Sequence, residues 1–166
     1  QGTISGPATI TTSGRYDGIS AGQGDIITID GPVTLYVTGN LSLSNAAEIQ
    51  INNANPDASL TIYLAGDVYC KNGGALNNLT EDPTRLKLFG LDTCTNLSFA
   101  TTGTFYGGIY APNAMANFKS SVEIYGAVAA QCFLQGQSAG FHYDAALKLC
   151  GADDPCTRIT VKRWSE

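Results

Sequence analysis

A chain of 166 residues with 43% hydrophobic content is long enough to enclose one core, which excludes a disordered segment and makes a second domain unnecessary. Only 14% of its residues are charged, and 9 Lys plus Arg against 14 Asp plus Glu leave a net charge of −5, so nucleic acid and anionic membrane surfaces are poor partners. No apolar run is long enough to insert in a bilayer as a helix.

Residues 1–25 place Ile4, Ile10, Tyr16 and Ile19 among many glycines and read as an N-terminal cap or an irregular first coil. The chain opens at Gln1 on a polar stretch, which reads as a processed or truncated piece of a longer precursor whose targeting element has been removed. From residue 26 the apolar pattern has period two: Val33, Leu35 and Val37, then Leu41 and Leu43, then Ile49 and Ile51. Such alternation puts successive side chains on opposite faces of a short strand. The run Thr34-Leu35-Tyr36-Val37-Thr38-Gly39-Asn40-Leu41 returns as Thr61-Ile62-Tyr63-Leu64-Ala65-Gly66-Asp67-Val68, and Pro56 maps onto Pro83 at the same offset. Further on, Phe105-Tyr106-Gly107-Gly108-Ile109-Tyr110-Ala111 returns as Ile124-Tyr125-Gly126-Ala127-Val128-Ala129-Ala130 at a shorter offset. The difference in period is assigned to lengthened corners at 52–59 and 79–84, rich in the Pro, Asn and Asp that favour turns.

A strand written repeatedly at a fixed spacing is what in-register stacking requires and hairpins do not. The expected fold is therefore all-β: a parallel β-solenoid, or β-helix, of about five or six triangular coils over residues 26–144, expected to be right-handed. An antiparallel sandwich or barrel is the alternative. Residues 145–166, with Ile159-Thr160-Val161-Lys162-Arg163-Trp164, read as a small C-terminal cap or tail.

Cys150 and Cys156 bracket a short turn and are expected to form a disulfide. Cys70 and Cys94, about one coil apart, form a second candidate pair, and Cys132 reads as a small buried hydrophobe. There is no Cys-x-x-Cys and the one histidine is His142, so no metal and no cofactor is expected. Asn40, Asn78 and Asn96 head sequons for glycosylation. Tyr36, Tyr63 and Tyr106 fall on outward strand positions and are candidates for surface contact by ring stacking. Glu123 and His142 fall at matching places in the repeat, where a hydrogen-bonded surface pair is expected rather than an acid–base pair. A threonine ladder of the kind that binds ice starts at Thr34 and Thr61 but is broken by Lys87. Neither a carboxylate cluster nor a nucleophile elbow is visible, so no catalytic residue is assigned.

The segment Gly107-Gly108-Ile109-Tyr110-Ala111-Pro112-Asn113, the closing His142-Tyr143-Asp144-Ala145-Ala146-Leu147 and the Leu-Tyr-Val-x-Gly-x-Leu-x-Leu run at 35–43 together resemble a domain of unknown function in bacterial surface proteins. That domain is similar to the C-terminal part of PilX-type, pilus-associated proteins. The resemblance implies a β-solenoid displayed outside the cell with no established enzymatic role, and it carries over no catalytic residue. The terminal motif His142, Tyr143 and Asp144 is read as structural, with Tyr143 repeating the core position of Phe105 and Ile124. The function expected is a non-enzymatic, extracellular structural or adhesive module of a pilus-like or other surface fibre. Its partners would be other copies of itself, pilus subunits, glycans or solid surfaces. The alternatives are a filament subunit stacking head to tail and a carbohydrate-active β-helix enzyme.

Overall fold

The computed structural model describes residues 2–119, 121–136, 138–144 and 147. Its strands are β1 (Ile4–Ser5), β2 (Ala8–Ile10), β3 (Gly14–Tyr16), β4 (Ile19–Ala21), β5 (Ile26–Ile29), β6 (Pro32–Val37), β7 (Leu41–Ser44) and β8 (Glu48–Ile51). They continue as β9 (Ser59–Leu64), β10 (Val68–Lys71), β11 (Ala75–Asn78), β12 (Leu86–Gly90), β13 (Asn96–Ala100), β14 (Gly103–Lys119), β15 (Val122–Gln135) and β16 (Gly140–Tyr143). A 3-10 turn, Pro83–Arg85, precedes β12. Among the described residues every strand pair is parallel and joins residues one coil apart, as a parallel β-solenoid requires.

Three faces wind about the core. The first stacks β3, β6, β9, β12, the opening half of β14, the opening half of β15, and β16. The second stacks β1, β4, β7, β10, β13 and the closing halves of β14 and β15. The third, among the described residues, contains only β2, β5, β8 and β11. Here the structure corrects the expectation of triangular coils throughout. The longer upstream period includes a third strand in each coil, not corner residues alone, and from β12 onward the coils have two faces. β13 passes to β14 through Thr101 and Thr102, too short a link to hold a third strand.

The alternation read from the sequence fixes the interior. On the first face Leu35, Ile62 and Leu88 stack in register and are fully buried; on the second, Ile19, Leu41, Val68 and Leu97 do the same. On the third, Ile29 and Ile51 are followed by Asn78 in the same column. Asn78 is 1% exposed and fully satisfied. Its Nδ2 donates to the carbonyls of Asp82 and Tyr106, and its Oδ1 accepts from the Thr80 amide and hydroxyl. The third sheet thus ends on an amide that supplies bonds a further rung would have made.

The segment expected as a cap or irregular first coil carries β1 to β4, each two or three residues long and each in register with the coil above. At the corner between the second and third faces, two successive residues take left-handed conformations in each coil. These are Gln23 and Gly24, Asn45 and Ala46, and Asn72 and Gly73, with φ of 55 and 77, 52 and 62, and 50 and 83 degrees. Ala46 is the one second-position residue with a Cβ, and left-handed geometry costs an L-residue about 1–2 kcal/mol. After allowing for the extra freedom glycine gives the unfolded chain, Ala46→Gly is expected to stabilise the fold by about 0.5 kcal/mol, raising Tm by about 1–2 °C. A thermal melt that moves downward contradicts this corner geometry.

Candidate functional site

The outward residues of the solenoid fall into columns along its axis. On the first face Tyr36, Tyr63 and Phe89 are in register and their rings stack, with centroids 4.9 and 5.1 Å apart and interplanar angles of 9 and 15 degrees. A second column joins Tyr106, Tyr125 and His142 at 5.0 and 4.4 Å. The rung spacing is set by strand pairing, about 4.8 Å, so rings at equivalent positions are driven face to face. This changes the role expected of Tyr36, Tyr63 and Tyr106. Their inner ring faces are occupied by neighbouring rings, and what these ladders offer is edges and hydroxyls, with Tyr36, 50% exposed, at one end. Burial, then the charge of Glu81 and the neighbouring Tyr125, holds the Tyr106 phenol above its ordinary value of 10.0, so it stays a hydrogen-bond donor.

His142 Nε2 lies 2.9 Å from Glu123 Oε2, so the structure brings the expected surface pair together. The register differs from the expectation. Glu123 pairs with Gly140, Tyr125 with His142 and Gly126 with Tyr143, because the last repeat is two residues shorter than the one before it. Phe141, not Tyr143, therefore occupies the core position of Phe105 and Ile124. Gly140 leaves room for the Glu123 carboxylate, which a Cβ there would strike. Thr34 and Thr61 are in register and the next rung is Lys87, so the threonine ladder stops where the sequence placed its end.

Cys70 and Cys94 are buried free thiols and do not pair with each other. Cys70 is in register with Leu43 and Phe99, whereas Val68 pairs with Leu97; a coil here spans 29 residues, so a separation of 24 leaves the two sulfurs out of step. Burial pushes the Cys70 thiol up to about 12; burial and the nearby Asp67 carboxylate push Cys94 up to about 11, and neither is a thiolate near neutral pH. Cys132, expected inside, is exposed: it follows Met115 in an outward column, the chain having turned the corner at 131. Cys150 and Cys156 lie outside the described residues. The sequon at Asn78 cannot carry a glycan in the folded chain, since its Nδ2 is buried and bonded to two carbonyls. Asn40 is exposed and Asn96 half-buried.

Carboxylates are concentrated at the corners, where they replace missing backbone partners. Asp67 accepts from the amides of Thr95 and Asn96 and from the Tyr69 hydroxyl, while its own amide donates to Asn40 Oδ1 one coil below. Desolvation opposes its charge, but these donors outweigh it and its pKa is lowered. Asp82 likewise titrates low: partial burial raises it, and Thr84 and Arg85 more than compensate. Asp30 is lowered by the side-chain amides of Asn55 and then Asn52. All three fall below the ordinary 3.8. The unfolded chain therefore binds these protons first, so the stabilisation is complete above the unfolded value and lost as pH falls through the folded ones. Thermal melts should be level above roughly pH 5 and drop steadily below 3.8, with Asp67→Asn flattening part of the slope. A Tm that rises on acidification contradicts the corner bonding.

A shallow depression of about 580 Å³ lies between the corners at Asn53–Pro56 and Leu79–Arg85. Arg85 within it donates to the carbonyls of Pro56 and Ala58 and pairs with Asp82, so its polar groups tie corners together. Among the described residues no group of His, Cys, Asp or Glu is arranged to hold a metal ion, and no helix is long and apolar enough to cross a membrane.

Parallel in-register strands, an aliphatic interior and side-chain ladders along the axis define the class: a parallel β-solenoid protein. Within that class, the chain belongs to the family described as a domain of unknown function (DUF7305), whose profile matches residues 4–150. Comparison with curated proteins and with solved structures gives no match.

Proposed function

We propose that this solenoid is a non-enzymatic structural and adhesive module displayed outside the cell, as part of a pilus-like or other surface fibre. The observation that carries the reading is the composition of the outward columns. On the second face Ser20, Ser42, Tyr69, Ser98 and Asn117 follow one another in register, and on the first face Thr34, Thr61 and the aromatic ladders do so, while most acids sit at the corners. Apart from Arg15 and Lys87 on the first face, these columns repeat uncharged hydroxyl, amide and ring groups at strand spacing. Many shallow contacts of one kind then act together on a glycan chain or a solid surface. The pilus association rests on the resemblance in sequence alone, and with Cys70 and Cys94 unpaired, the extracellular reading rests on this surface chemistry. Immunogold electron microscopy of source cells tests it: label on fibres or the outer surface is expected, and label confined to the cytosol overturns it.

End-to-end assembly is the second reading. Phe133, Leu134, Phe141 and Tyr143 are exposed on the last described coil, and β16 pairs only with β15 among the described residues. Against it stands a mismatch of cross-section, three strands per coil at one end and two at the other, which would leave the β2 edge without a partner. Long fibres formed by purified protein would favour assembly. The enzymatic alternative is tested on a panel of glycans, where product release abolished by Glu123→Gln would displace the adhesive reading.

A further inference from the structure

The outer aromatic ladder of the first face stops abruptly. Tyr36, Tyr63 and Phe89 stack, and Tyr110 follows Phe89 in register, but the next rung is Ala129. Tyr110 is half-buried, and among the described residues no other ring packs on it and its hydroxyl has no hydrogen-bond partner. Beside it the column Lys87, Gly108, Ala127 carries almost no side chain above the lysine. On the far side stands the wall of Tyr106, Tyr125 and His142, with Glu123 behind it, next to Tyr125 on the side away from Gly108. Tyr106 and Tyr110 are four residues apart along β14, so the two walls stand about 13 Å apart, centre to centre. The floor between them is Gly108 and Ala127, with Ala129 on the rung above Tyr110, while Val128 and Ala130 turn inward to the core.

Gly108 is the informative residue. Its neighbour Gly107 is required by packing, since a Cβ there would lie 2.9 Å from the Leu86 carbonyl oxygen. At Gly108 a Cβ would meet nothing within 4 Å, and its φ is one that any residue adopts. Glycine in a strand interior weakens the strand, so neither conformation nor contact accounts for it. What it does provide is an open floor between two aromatic walls.

The geometry points to this notch as a binding subsite for a neutral oligosaccharide, a chain of β-linked hexopyranoses running along the solenoid axis. Tyr110 is the stacking residue, and the Tyr106 and Tyr125 hydroxyls form a hydrogen-bonding rim. A pyranose chain presents apolar C–H faces edged by hydroxyls, and a concave site with aromatic walls and a few polar groups at its rim is complementary to that pattern. The floor carries no charge, and Lys87 one rung below it is engaged within the protein, so a neutral ligand leaves no charge unmatched. The proposal rests on the adhesive reading and names its ligand class.

Titration calorimetry of the purified protein with cellohexaose and chitohexaose tests it. Binding of at least one is expected, weakened tenfold or more by Tyr110→Ala and also by Gly108→Gln, which fills the notch with no backbone strain and should leave Tm unchanged or raised. The proposal is overturned if neither sugar binds, if binding survives Gly108→Gln, or if oligogalacturonate binds more tightly than both. Retention of the protein on cellulose, chitin or abiotic particles is measured alongside. Retention without oligosaccharide binding would sink the notch and leave the adhesive reading standing, whereas loss of both would remove the two together.

Discussion

Gly126→Ala is expected to destabilise the protein by about 3 kcal/mol, near the top of the range for overpacking a close-packed site. Gly126 pairs with Gly107 below and Tyr143 above, and a Cβ on it would be driven into the Gly107 carbonyl oxygen. The obstacle is backbone held in the sheet, so no side-chain rotation relieves it. The residue also has φ of 150 degrees, outside the region in which L-residues are comfortable. Because each coil is supported only by its neighbours, the damage should concentrate at the two-faced end. Urea unfolding should show a lower midpoint, and hydrogen exchange should speed up first in β15 and β16. An unchanged midpoint would mean that rungs 107 and 126 do not touch.

Phe118→Ala should cost about 3–5 kcal/mol, the usual range for deleting a buried aromatic ring. Phe118 is fully buried, stacks on Phe99 at 4.8 Å with planes 3 degrees apart, and reaches Phe133 at 5.4 Å. Once the third face ends, this aromatic file with Phe105 fills the interior that β8 and β11 helped to line lower down. Phe118→Leu keeps most of the volume and should lose only about 1 kcal/mol. Equal losses for the two variants would contradict a packed aromatic file and point instead to a backbone effect at the second corner.

Much of this architecture was legible because stacking in register forces equivalent residues to the same depth. Leu35 and Ile62, or Tyr106 and Tyr125, could be matched by eye, and the structure places each pair side by side. What failed were distances counted along the chain where the coil length changes. The separation of Cys70 and Cys94 approximates a coil but misses the local one by five residues, and Tyr143 was matched to Ile124 across a repeat that had shortened by two. The end of the third face was hidden for a related reason. β8 and β11 are four residues each, flanked by Asn-rich corners, and their alternation is interrupted in β11 by Asn78, a polar residue at a core position. Only the bonds it makes to Asp82 and Tyr106 explain it.

The candidate site was legible in part. Outward tyrosines follow from period two, but two facts about them require coordinates: that their rings cover one another, and that among the described residues Tyr110, unlike Tyr36, Tyr63, Tyr106 and Tyr125, has no stacked partner. Gly107 and Gly108 look alike in the sequence. One is wedged against Leu86 and the other opens on empty space.

The central claim, that parallel coils stack in register and display one kind of group in each column, is tested most directly by ring-to-ring nuclear Overhauser effects in solution. The account predicts contacts linking Tyr36 to Tyr63 and Tyr63 to Phe89, and separately Tyr106 to Tyr125 and Tyr125 to His142. Contacts between strands consecutive in sequence, as hairpins would produce, with those ring pairs silent, would contradict it.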